Sequence, residues 1–89
     1  MSGLDYTVIA HARVRGHTPD LVWVAIARWD DPATGSSEWC LELWDEQGEA
    51  GDDIEVESEA AAKGAALNQF QVPLESWIPG PQPFGRAQP

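Results

Sequence analysis

Eighty-nine residues, 43% hydrophobic and 22% charged, make one globular domain with a single modest core. A net charge of −10 disfavours direct binding to nucleic acid or to an anionic membrane, both of which are held largely through Lys and Arg. A single cysteine, Cys40, excludes an intrachain disulfide and a cysteine-built zinc site and fits a reducing compartment.

"YTVIAHARVR" (6–15) alternates with period two, setting Tyr6, Val8, Ala10, Ala12 and Val14 on one face and Thr7, Ile9, His11, Arg13 and Arg15 on the other. "GHTPD" (16–20) is turn chemistry, and "LVWVAIARW" (21–29) is a second strand rich in β-formers. "DDPATGSS" (30–37) reads as a loop and "EWCLELW" (38–44) as a third strand. "DEQGEAGDD" (45–53) turns into a short strand, "IEVE" (54–57). Ser58 suits a helix N-cap, with Glu59 in the electropositive first turn. The helix "EAAAKGAALNQFQ" (59–71) groups Ala60, Gly64, Leu67 and Phe70 or Gln71 on one side, and Pro73 ends it. "LESWI" (74–78) predicts one short turn closing over the core, and "PGPQPFGRAQP" (79–89) predicts a flexible Pro-rich tail after a single domain at 1–78.

No apolar run reaches the roughly 20 residues of a membrane helix. The stretch "MSGLDYTVIAHARVRG" also lacks the pattern of a signal peptide, so a soluble cytoplasmic chain is expected.

The pairing register follows from two turn centres. A hairpin centred on Thr18 pairs Val14 with Val22, Ala12 with Val24 and Ala10 with Ile26; a second, centred between Ala33 and Thr34, sets Ile26 against Leu41 and Val24 against Leu43. One face of the sheet is then wholly apolar, from Val8 to Leu43, and seats the Ala-rich helix. The opposite face carries Arg13, Trp23 and Trp44 in one row, His11, Ala25 and Glu42 in the next, and Thr7, Trp29 and Glu38 beyond. With one helix, nothing evident covers it. Five tryptophans in the chain, three of them here, give this face the composition of an interaction surface. The alternative is that cross-strand packing, or a fold-back of "LESWIPGPQPF", covers these rings within one chain.

Charge is distributed unevenly. Residues 29–59 contain twelve acids and no base, while the segments before and after each sum to +1. Asp53, Glu55 and Glu57 alternate with core-facing Ile54 and Val56, so the carboxylates recur about every 6.7 Å, a repeat of the order of phosphate spacing along a nucleic-acid strand. Together with Glu42, Asp45, Glu46, Glu49 and Asp52 they form the acidic part of a partner-binding site, and Trp23, Trp29 and Trp44 its apolar anchors. Any strand with one wet face would also alternate in this way, but that reading leaves unexplained the absence of Lys and Arg from 29 to 62.

Catalytic and metal readings are weaker. "DEQGEAGDDIEV" departs from a calcium loop at its sixth position, Ala50, and its twelfth, Val56. His11, His17 and Cys40 have no metal-ligand spacing, and a His11–Glu42 neighbour pair lacks a nucleophile and a pocket. No cofactor, metal or catalytic residue is expected.

The order of strands and helix, with "VESEAAAKGAAL" leading into the helix, is similar to antitoxin domains of the HicB type and, loosely, to double-stranded RNA-binding domains. The resemblance covers element order and this segment, and no residue roles carry over. The basic helix of an RNA-binding domain is missing, since this helix offers only Lys63. The expectation is an α+β domain, a three- to four-stranded antiparallel sheet with one main helix on one face. Its expected role is that of a non-enzymatic acidic inhibitor that mimics nucleic acid at a basic site of a partner protein, as anti-CRISPR and other phage or mobile-element proteins do. An antitoxin-like regulator forming a homodimer through the Trp face is the alternative.

Overall fold

The computed structural model describes residues 5–18, 21–45 and 50–80. The elements run β1 (Asp5–Thr18), β2 (Leu21–Asp31), β3 (Ser36–Trp44), β4 (Ala50–Val56), α1 (Glu59–Phe70), a 3-10 turn (Leu74–Ser76) and β5 (Ile78–Pro79). The strands form one antiparallel sheet in the order β4-β3-β2-β1-β5. The α+β class is as expected, but the sheet has five strands instead of three to four. The fifth is only two residues long, too short for period-two alternation to signal it. It is held on β1 by the Gly80 N–H donating to the Ile9 carbonyl at 2.9 Å. Pro79, expected in the tail, belongs to this strand; lacking an N–H, it is tolerated on a sheet edge. The remainder of the expected tail, 81–89, lies outside the described residues.

Four of the five core pairs read from the sequence are present: Ala10↔Ile26 and Ala12↔Val24 between β1 and β2, and Val24↔Leu43 and Ile26↔Leu41 between β2 and β3. The expected Val14–Val22 pair is not in the ladder, whose register shifts after Arg13↔Trp23. The first hairpin differs at its tip. Thr18 pairs with Leu21, so residues 16–18 continue β1 instead of forming a turn, and an irregularity between Arg13 and Thr18 absorbs the extra length. In the second hairpin the ladder extends to Asp31↔Ser36. The tight turn there is closed by Gly35 N–H to the Asp31 carbonyl at 2.8 Å and Ala33 N–H to Asp31 Oδ1 at 2.9 Å. Gly35 has φ +76°, a conformation that favours glycine.

A bulge at Ile9 changes the faces of β1. Val8 pairs with Ala27 and Ala10 with Ile26, which leaves Ile9 without an opposite residue. N-terminal to the bulge, side chains exchange faces relative to strict alternation: Ile9 packs toward the helix-side core, and Val8 packs against the cluster of Trp23, Ala25 and Trp44 on the other face. The expected core position of Val8 is corrected accordingly. Val22, also expected in that core, packs against the tryptophan cluster.

The main core joins Ala12, Val14, Val24, Ile26 and Leu41 of the sheet to Ala62, Ala66 and Phe70 of α1 and to Val72. The helix therefore buries a stripe at i, i+4, i+8, while Ala60 and Leu67 of the expected side are exposed. A run dominated by Ala and Gly has too little hydrophobic contrast to fix its buried side; close approach of small residues to the sheet decides it. Ser58 caps the helix as expected, its Oγ accepting from Ala61 N–H at 3.1 Å, and Lys63 pairs with Glu59 one turn away at 3.2 Å. At the other end Gln71 adopts a left-handed conformation, and Val72 N–H returns to the Ala66 carbonyl at 3.2 Å, seating Val72 in the core before Pro73.

Candidate functional site: the tryptophan face and the acidic edge

The face opposite α1 is organised in cross-strand rows. Arg13, Trp23 and Trp44 are adjacent, as are His11, Ala25, Glu42 and Asp53. The following rows are Val8, Ala27, Cys40 and Glu55, then Tyr6, Trp29 and Glu38. The first two agree with the sequence-derived register; the last holds Tyr6 where Thr7 was expected, because of the Ile9 bulge. From that position Tyr6 stacks on Trp29 with ring centroids 4.5 Å apart and donates its hydroxyl to Glu42 Oε1 at 2.8 Å. Trp44 Nε1–H donates to the same oxygen at 3.2 Å. His11 meets Trp23 edge-on, its Nδ1 2.8 Å from the Gly80 carbonyl, and Arg13 lies 5.5 Å over the Trp23 ring. A carbonyl can only accept, so His11 Nδ1 carries the proton in that bond.

This face is not the open surface expected. Relative exposure is 1% for Trp44, 3% for Glu42, 6% for His11 and 8% for Trp23, so none can anchor a partner without rearrangement. Two features account for part of the difference: the bulge brings Tyr6 onto the face, and β5 brings Gly80 to His11. Glu42 is thus a buried, hydrogen-bonded carboxylate and not a member of the accessible acidic row, while Trp29 remains half-buried.

The acidic row itself is at the surface. Strand β4 is an edge of the sheet among the described residues; Asp52, Asp53 and Glu55 are exposed along it and Glu57 is exposed in the bend just after it, while Ile54 and Val56 pack against the core. Asp52 turns its Oδ1 to the Asp53 N–H at 2.8 Å. Asp45 is half-buried; Glu46 and Glu49 lie outside the described residues, as does the side chain of His17. Exposed Glu38 of β3 joins Glu55 and Glu57 around an open groove of about 380 Å³ that Ser37, Trp39 and Val56 complete. Glu38 was missed as a site residue, although its register position beside the row was legible.

Among the described residues, the ion pairs are Arg28–Asp30 at 3.0 Å and Lys63–Glu59 at 3.2 Å, and neither involves the carboxylates of the row. Asp30 sits at the far end of β2, where a hydrogen bond from Ser37, then the Arg28 guanidinium, hold its carboxyl below the usual range. Among the described residues no three His, Cys, Asp or Glu side chains form a group that could hold a metal ion, and no helix is long and apolar enough to cross a membrane. No family model, curated protein or solved structure matches the chain.

Proposed function

We propose that this domain is a non-enzymatic module that binds a basic protein through the acidic edge formed by β4 and the adjoining end of β3. The reading is carried by one observation: Glu38, Asp53, Glu55 and Glu57 are exposed together on one face, with no ion-paired base among the described residues. Like charges on neighbouring strands are mutually destabilising, so the fold bears a cost that a cationic partner would relieve. Their repeat of about 6.7 Å along the strand suits a surface that normally receives a nucleic-acid backbone. The partner is therefore a nucleic-acid-binding protein whose site this domain occupies, as an inhibitor would. Accessible carboxylates take over the role first assigned to a mixed acid and tryptophan patch, since Trp23, Trp44 and Glu42 are interior.

The test is competition. A labelled duplex bound to a non-sequence-specific basic DNA-binding domain should be displaced by this protein at low salt, measured by fluorescence anisotropy. Displacement should weaken at high salt and disappear in the Glu55→Lys/Glu57→Lys variant. Displacement indifferent to both would overturn the reading. Light scattering at the two salt concentrations should give a monomer, whereas a salt-insensitive dimer would favour the self-associating regulator instead.

A further inference from the structure

We infer that the partner engages β4 by strand addition, presenting an extended segment in which Lys or Arg alternates with apolar residues. This inference rests on the binding role proposed above and specifies its geometry. Three properties of β4 meet in it. Among the described residues, β4 pairs with β3 on one side and with no strand on the other, so the backbone N–H and C=O groups of its outer side, apart from the Asp53 N–H that Asp52 Oδ1 already takes, are a template for a further strand. Its two faces differ in chemistry with period two: Asp53 and Glu55, continued by Glu57, on one, and Ile54 and Val56 on the other. An added strand about 4.8 Å away would place every second side chain beside a carboxylate and the intervening ones beside an aliphatic group. At the end of β4, the groove of about 380 Å³ between Glu38, Glu55 and Glu57 has room for a long basic side chain.

Charge also selects against the other obvious occupant. A second copy of this chain adding through its own β4 would set acidic row beside acidic row, so the edge repels itself while attracting a cationic strand.

The inference is tested with two synthetic peptides of one sequence, alternating Lys and Val over about eight residues, one of them N-methylated at alternate backbone positions. They carry equal charge and differ in hydrogen-bonding capacity on one edge. The expected result is binding of the unmodified peptide at least ~10-fold tighter, with slowed amide exchange at β4 and loss of affinity in Glu55→Gln/Glu57→Gln. Equal affinity of the two peptides would overturn strand addition while leaving charge-driven binding standing. Failure of both to bind at low salt would overturn the acidic-edge reading as well.

Discussion

The Tyr6 hydroxyl reaches across the sheet to Glu42, 36 positions away in sequence, and donates to its Oε1 at 2.8 Å. Glu42 occupies a face lined by Trp23 and Trp44, where an unsatisfied carboxylate oxygen would be costly. The bond depends on the bulge at Ile9, because strict alternation along β1 would turn Tyr6 to the helix side.

Tyr6→Phe keeps the ring contact with Trp29 and removes only the hydroxyl. It should lower stability by about 0.5–1.5 kcal/mol, read from urea denaturation, because one of two donors to a buried oxygen is lost while Trp44 Nε1–H still donates to it. A double-mutant cycle with Glu42→Gln should show a coupling of at least ~0.5 kcal/mol. Independent, additive effects would show that the hydroxyl contributes nothing through Glu42.

The bulge also marks where sequence reading stops. Cross-strand partners such as Ala12↔Val24 and Ile26↔Leu41 were legible because a period-two pattern and a turn centre suffice to set them. Nothing local distinguishes Ile9 from its neighbours as the residue without a partner; β5 fixes its carbonyl from 71 positions away, through Gly80. The exposed acids of β4 were legible for the opposite reason, since Ile54 and Val56 define their face by themselves. Burial of Trp23 and Trp44 depends on elements brought from distant segments and was legible only as the alternative in which cross-strand packing or a fold-back of "LESWIPGPQPF" covers the rings. An Ala-rich helix with little hydrophobic contrast also hides its buried side.

That helix yields a contrasting pair of variants. A Cβ built at Gly64 meets no atom within 4 Å, so Gly64→Ala gains helix propensity without a clash and should stabilise by about 0.5–1 kcal/mol. Ala66, two residues on, is fully buried against the sheet, and Ala66→Leu should cost about 1–3 kcal/mol through overpacking. Thermal unfolding of both variants checks the assignment of the helix faces. Destabilisation by Gly64→Ala, or tolerance of Leu at 66, would mean that α1 lies on the sheet by a different side.

Asp30 gives a prediction in pH. Its carboxyl is held low chiefly by the Ser37 hydroxyl and then by Arg28, so the ionised form is favoured in the folded state. A carboxyl whose folded pKa lies below its unfolded value contributes stability above the unfolded value, roughly 3.9 for Asp, and loses it as pH falls through the folded value. Ser37→Ala removes the largest cause and narrows that gap. Its urea midpoint should therefore fall relative to the parent at pH 7, and the difference should shrink at an acid pH below the folded value, where Asp30 is protonated in folded and unfolded chains alike. The pair sits at the rim of the second hairpin and is partly exposed, so the effect should be small. An equal deficit at both pH values would show that Ser37 supports the hairpin through its packing and not through the charge on Asp30.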